Sequence, residues 1–395
     1  VASMGAGRPN LNSPFKRLWR ELPIDGRGFL QPGDADARRL HRWATRRIWG
    51  RIPWPLRPFG ILVARILWCA KALPLARAFA GRNRIGRGRT IRLFADACLT
   101  GMPPWEAYCW RYLLVAPARP LSSRALSKTL AALAVEDQRK LLGDKIATVE
   151  ALSTAGIRFP KQVALIPRGA AVRSLPPGPD ALFAKPRHGA ASRFTLALDR
   201  LDDGAWRING TDRDAGFVAA LLELALRNDD LIVQERLTAA PELAEFATLR
   251  PPVLRIHTLR GPQGGVPMIH SAVLSTSVPR EVSIGARPNS RIIPVAIDSG
   301  EMQFGFRFPE PLARASGWSG KPVPGYEEAR RMALACAAMF DGLPMVAWEF
   351  ILTPGGPVML EGNSEPGHHY IGLAASAQTD TPSLFPLLAR WLPEA

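Results

Sequence analysis

The chain has 395 residues, 51 Lys and Arg against 34 Asp and Glu, and a formal net charge of +17. With 47% hydrophobic and 22% charged residues it can bury a sizeable core, which excludes a wholly disordered protein. The four cysteines (Cys69, Cys98, Cys109, Cys336) lack CxxC spacing, so neither a disulfide framework nor a zinc site is expected, and a reducing, cytoplasmic home fits best.

Val1-Ala2-Ser3 ahead of Met4 reads as an expression scar and is set aside. The positive charge is concentrated at the start. Residues 1–130 hold 24 bases against 6 acids, whereas the remainder holds 27 against 28. Residues 1–95 therefore form a basic, Arg- and Trp-rich region, expected to be mainly helical. In it Trp19, Trp43, Trp49, Trp54 and Trp68 interleave with Arg42, Arg46, Arg47, Arg51 and Arg65. Asp34–Arg51 and Ile61–Ala72 have helical patterns, and Gly81–Arg89 reads as a loop. Ile61–Ala80 comes nearest to the roughly 18 apolar residues of a membrane span, but Arg65, Lys71, Pro74 and Arg77 interrupt it. An integral membrane protein is not expected. Three readings fit the basic region: nucleic-acid binding through arginine and stacking aromatics, docking on an anionic membrane, or a solvated arginine surface. The membrane is preferred to nucleic acid because no nucleic-acid motif is present, although Arg65, Lys71 and Arg77 do not share one helical face.

From about Thr129 helix and strand patterns alternate. Ala131–Leu142 and Lys145–Ala155 are expected helices, the second ending at Gly156. Strands are expected at Gln162–Ile166, Ala181–Lys185, Phe194–Asp199, Leu231–Glu235, Val253–Leu259 and Met268–Ser275, with helices at Phe217–Leu226 and Tyr326–Phe340. No repeat period appears, and the fold class is α+β with antiparallel hairpins.

The most informative segment is Val346–Asn363, VAWEFILTPGGPVMLEGN, two strand-like runs around Pro354-Gly355-Gly356. A turn centred on Gly355 sets Glu349 opposite Glu361, with Asn363 on the same face. Facing like charges repel, so a compensating cation is expected. Two carboxylates and an amide oxygen suit Mg²⁺ or Mn²⁺, with phosphate oxygens completing the shell. Lys185, at the end of a buried-looking strand, and Gly189 in the small-residue loop after it are candidates to meet those phosphates. There is no Walker motif, no GxSxG elbow and no HExxH among the histidines His188, His257, His368 and His369, which disfavours a P-loop NTPase, an α/β-hydrolase and a catalytic zinc.

Taken in order, GDKIATVEALSTAGIRFP, FAKP, LIVQERL and VAWEFILTPGGPVMLEGNSEPG resemble the ATP-grasp superfamily. ADACLTGMPPWEAYCWRYLL, VLRIHTLR and GPVMLEGNSEPG are similar to its sugar-transfer-associated subgroup. The resemblance covers roughly residues 90–390 and implies two α+β subdomains sandwiching ATP. It divides the chain into 1–95, an entry region 96–175, a small subdomain 176–240 and a C-terminal subdomain 241–395. It implies ATP phosphates on Lys145 and Lys185, a flap including Gly189 and Ser192, adenine against Gln234, Glu235 and Leu237, and the metal on Glu349, Glu361 and Asn363. The flap is reduced to His188–Arg193, the first metal ligand is Glu where relatives often carry Asp, and ARPNSRII at 286–293 replaces the subgroup's acidic-amide and glycine pair.

The implied activity is ATP-dependent joining of a carboxylate to an amine through an acyl phosphate, in glycan or secondary-metabolite modification. Arg255 is then the candidate to stabilise the transferring phosphoryl, with Lys185 beside it. His257, Arg291 and His368 are candidate substrate contacts. A binding module that has lost catalysis, and a phosphoryl transferase on the same fold, remain as alternatives.

Overall fold

The computed structural model describes residues 34–50, 52–113, 122–171, 178–188, 195–202, 205–247, 250–262, 264–276, 291–307, 310–311, 317–366 and 383–393. They divide into two compact units, one running to Tyr108 with residues 122–125, the other comprising 109–113 and everything from Leu126 onward.

The first unit is helical. Helix α1 (Ala35–Trp49) starts where the Asp34 carboxylate accepts the Ala37 N–H at 2.9 Å. Helix α2 (Arg57–Arg82) runs on through Pro74, and α3 (Arg87–Thr100) ends at Gly101 in the left-handed conformation. A short α4 (Pro104–Tyr108) follows. The expected loop at 81–89 is therefore only the link between α2 and α3, because helical pairing outlasts the glycines at both ends. Trp68 and Ala72 of α2 pack on Ala97 and Cys98 of α3, and Trp68 Nε1 donates to the Ala97 carbonyl at 2.7 Å. Although Arg65, Lys71, Pro74 and Arg77 fall within it, the segment Trp54–Gly81 is long and apolar enough to cross a membrane by length and composition.

The second unit takes in α5 (Ser123–Leu133) from Leu126 on, α6 (Glu136–Gly143) and α7 (Lys145–Leu152). The single helix expected over Ala131–Leu142 is broken at Val135, which is extended and gives its N–H to the Gly342 carbonyl at 2.9 Å. A distant backbone acceptor overrides local helical preference there. Two antiparallel sheets follow. The first has six strands in the order β1-β6-β2-β3-β4-β5: β1 (Gln162–Ile166), β2 (Ala181–Pro186), β3 (Leu196–Arg200), β4 (Trp206–Ile208), β5 (Thr211–Arg213) and β6 (Leu231–Glu235). Helix α8 (Ala215–Leu226), capped by Asp214, covers one face, burying Leu182, Ala184, Leu198, Leu222 and Val233 together. Alternation turns Phe183, Lys185, Ile232 and Gln234 to the opposite face.

The second sheet has seven strands in the order β11-β10-β9-β8-β7-β12-β13. These are β7 (Val253–Leu259), β8 (Met268–Thr276), β9 (Arg291–Val295), β10 (Phe306–Arg307), β11 (Glu310–Pro311), β12 (Met345–Thr353) and β13 (Gly356–Asn363). Helix α9 (Tyr326–Met339) covers the face carrying Leu254, Ile256, Trp348, Phe350 and Met359, the main core. The other face receives Arg255 and His257 from β7, Glu349 from β12, and Glu361 and Asn363 from β13. A last short helix, α10 (Leu384–Ala389), follows. The fold is α+β, as expected.

Candidate nucleotide and metal site

The β12–β13 hairpin sets Glu349 directly opposite Glu361, the pairing read from the sequence. The route to it differs. Thr353 pairs with Gly356, so the turn centres between Pro354 and Gly355 rather than on Gly355. That offset alone would misplace the glutamates by one residue. A bulge at Leu360 restores the register: Phe350 faces Met359, Glu349 faces Glu361, and Leu360 has no cross-strand partner. Gly356, at φ +100, supplies the conformation that closes the turn.

Two carboxylates about 5 Å apart repel by about 3 kcal/mol at an effective dielectric of about 20. The fold answers with its own donors. Arg255, opposite Glu349 on β7, makes a short ion pair with it. Lys145, the first residue of α7, lies 3.7 Å from Glu361 Oε2. The Asn363 amide donates to Glu349 Oε1 at 2.9 Å and to Glu361 Oε1 at 3.2 Å. Compensation assigned from the sequence to a divalent cation is thus supplied here by protein cations and an amide. The donor set still fits such an ion: two partly buried carboxylates converge on one amide, and a half-turn of that amide presents Oδ1 in place of Nδ2. Among the described residues no group of three or more His, Cys, Asp or Glu side chains could hold a metal, so Asn363 is integral to this one.

Lys185 brings the first sheet to the hairpin. Only 6% exposed, it reaches from β2 to donate at 3.3 Å to the carbonyl of Leu360, the bulge residue on the edge strand. Burial pulls its pKa down to about 8, with Lys145 adding to the fall while Glu361 and Glu349 oppose it. Lys145 is tethered through Arg187, whose carbonyl accepts from both the Lys145 backbone N–H and Nζ at 3.3 Å. The Arg187 guanidinium grips Asp144, with Nη2 to Oδ2 at 2.6 Å, and reaches Asp230 at 3.2 Å. Asp144 also caps α7 through the Ile146 and Ala147 N–H groups. Arg187 first, with those N–H groups, holds its pKa down at about 2. His188 adds Nδ1 to Asp229 at 2.9 Å.

On the face of the first sheet that carries Lys185, Gln234 is buried opposite Phe183, and Arg250 stacks its guanidinium 5.9 Å from the Phe183 ring centre. Burial lowers the Arg250 pKa. Glu235 is exposed, and Leu237 is half-buried in the segment after β6. His257 is fully buried with Nδ1 3.0 Å from Ser271 Oγ, and its Nε2 has no hydrogen-bond partner among the described residues. Burial first, then Arg255 and His270, holds its pKa well below the usual histidine range, so it is neutral. Arg291 opens β9 opposite Thr276, distant in the sheet order from β13. Gly189, Ser192 and His368 lie outside the described residues. The sequence reading missed Arg187, Asp144 and Arg250 as parts of the site. The first two stand beside the lysines it chose, but a cross-chain ion pair leaves no periodic signal.

No family model matches the sequence, and no curated protein matches it. Similar solved structures include the D-alanine-D-alanine ligase from Coxiella burnetii, at 14% identity and TM-score 0.39, covering 65% of this chain and 58% of that one. An L-amino acid ligase from Bacillus licheniformis follows at 14% and 0.37, covering 68% and 54%. The VanG D-Ala:D-Ser ligase from Enterococcus faecalis stands at 15% and 0.38, covering 67% and 61%. The chain spans between 54% and 61% of the length of these three ligases.

Proposed function

We propose that the chain is an ATP-dependent ligase of the ATP-grasp kind, joining a carboxylate to an amine through an acyl phosphate. The observation that carries this reading is the convergence of Lys145 and Lys185 on a hairpin where Glu349 and Glu361 face each other beside Asn363. Structural ion pairs alone do not require two glutamates to oppose each other on a sheet.

In this reading ATP lies between the two sheet faces, its phosphates drawing Lys145 and Lys185 away from Glu361 and the Leu360 carbonyl. Bound Mg²⁺ on Glu349, Glu361 and Asn363 would neutralise phosphate charge. Buried Lys185 and partly buried Lys145 act where charge is poorly screened, so each stabilises developing negative charge more than it would in water. Arg255 orients Glu349 through their ion pair and stands on the same sheet face, towards the transferring phosphoryl. The carboxylate substrate attacks the γ-phosphorus with loss of ADP. The amine then attacks the acyl carbon and expels phosphate, with proton loss to solvent.

The test is ATP-dependent ADP and phosphate release with Mg²⁺ across mixtures of carboxylates and amines, with product mass measured in parallel. Wild type is expected to release both and yield a condensed product, while Lys185→Ala and Glu361→Gln stop release and keep the wild-type circular dichroism. Full turnover by either variant, or a stable phosphorylated product without condensation, overturns the reading.

A further inference from the structure

Helix α2 presents two unlike faces. Ala64, Trp68, Ala72 and Ala76 are buried, and Trp68 and Ala72 lie against α3. On the other side Phe59, Leu62, Ile66 and Leu73 are exposed by 69%, 50%, 59% and 36%. Their spacings of three, four and seven residues align them in one stripe about 21 Å long. Arg65 and Lys71, which count against an amphipathic helix in the sequence, point about 90° and about 150° away from the centre of the stripe. No charge enters it until Arg77, at its C-terminal end.

The surroundings select the occupant. Arg84 follows α2, and α3 exposes Arg87, Arg89 and Arg92 around Ile91, itself 68% exposed. Of the acids described in this unit, Asp96 and Glu106 are buried, leaving Asp34 and Asp36 at the start of α1. A second copy would bring one arginine-rich surface against another, which like charge opposes. A spanning orientation would place in lipid a helix whose other face is held to α3, with its arginines, by the Trp68–Ala97 hydrogen bond. From the apolar stripe and the acid-poor arginine surface together, we infer that the first unit docks on an anionic lipid bilayer, with α2 lying in the interface and its stripe immersed. Apolar burial supplies retention, and arginine pairing with lipid phosphates supplies preference for anionic surfaces.

The experiment is vesicle flotation of the full chain on phosphatidylcholine with and without phosphatidylglycerol. Wild type is expected to float with the anionic vesicles roughly tenfold better than with neutral ones, less so at high salt. The Phe59→Glu/Ile66→Glu double variant should lose binding roughly tenfold, whereas Val266→Glu, at an exposed site in the second unit, should not. Circular dichroism checks that each variant folds. Undiminished flotation of the folded double variant overturns the inference. So does resistance of the wild type to carbonate extraction, the mark of a span. Loss of lipid-free self-association in the double variant would assign the stripe to a second copy instead. Reduced flotation by Arg87→Glu with its fold intact would support the lipid assignment.

Discussion

Lys185 gives its ammonium hydrogen to the carbonyl of Leu360, the bulge residue of the hairpin, at 3.3 Å. A buried lysine whose pKa has fallen to about 8 is held there at a cost, since burial outweighs the attraction of Glu361 and Glu349. Lys185→Met is therefore expected to raise stability by about 1 kcal/mol while lowering ATP affinity by roughly tenfold or more. Chemical denaturation and nucleotide titration on one preparation check both signs. A variant that is less stable and binds ATP normally would contradict them.

Gly362 separates Glu361 from Asn363 at a place where no side chain fits. A Cβ there would stand 2.6 Å from Leu142 Cδ1 and 2.7 Å from Trp348 Cζ3. Gly362→Ala should cost about 2 kcal/mol through overpacking, and should shift the flanking carboxylate and amide out of register. The expected measurement is a lowered denaturation midpoint together with weaker divalent-dependent ATP binding.

Arg187 is expected to act through its neighbours rather than on phosphate. It fixes Asp144 at the start of α7 and offers its carbonyl to Lys145. Arg187→Met leaves that carbonyl in place but releases Asp144. ATP affinity should then fall by about tenfold as Lys145 loses its alignment, with the divalent requirement unchanged. Arg187→Lys should restore only part, since one ammonium cannot span Asp144 and Asp230 together.

Asp144 has a folded-state pKa of about 2 against an ordinary 3.8, so its ion pair adds stability above about pH 4 that is lost as pH falls through about 2. Screening at a partly exposed pair reduces the contribution to about 1 kcal/mol. Asp144→Asn should be less stable than wild type by about that amount at pH 7, and the gap should close towards pH 2. Paired urea titrations at the two pH values read it directly.

What the sequence showed and what it hid divide along physical lines. Both glutamates and Asn363 were legible because strand alternation and a glycine turn are local, and Lys185 because it ends a buried-looking strand, whereas Lys145 was reached only through the family resemblance. The pairing was nevertheless reached through an offset of the turn and a bulge that cancel, and the bulge has no sequence mark at Leu360. The β4–β5 hairpin was overlooked although its signal was present: Asn209 and Gly210 both have positive φ, at 47° and 87°, the turn that Asn-Gly favours. The break at Val135 was hidden because its cause, the Gly342 carbonyl, lies 207 residues away. The stripe on α2 was overlooked because the basic residues were tested for a common helical face and the exposed apolar residues were not.

The facing glutamates also bear on how the chain folds. Glu349 and Glu361 are twelve residues apart, whereas Lys145 is 216 residues from Glu361. Closing the longer loop costs about 2.5 kcal/mol more in chain entropy, so the hairpin forms before its lysine arrives. For that interval the two carboxylates face each other in water without Lys145, and the barrier carries their repulsion. Added salt should therefore quicken refolding more than it changes final stability, because screening reaches the nascent hairpin and is largely shut out of the finished one.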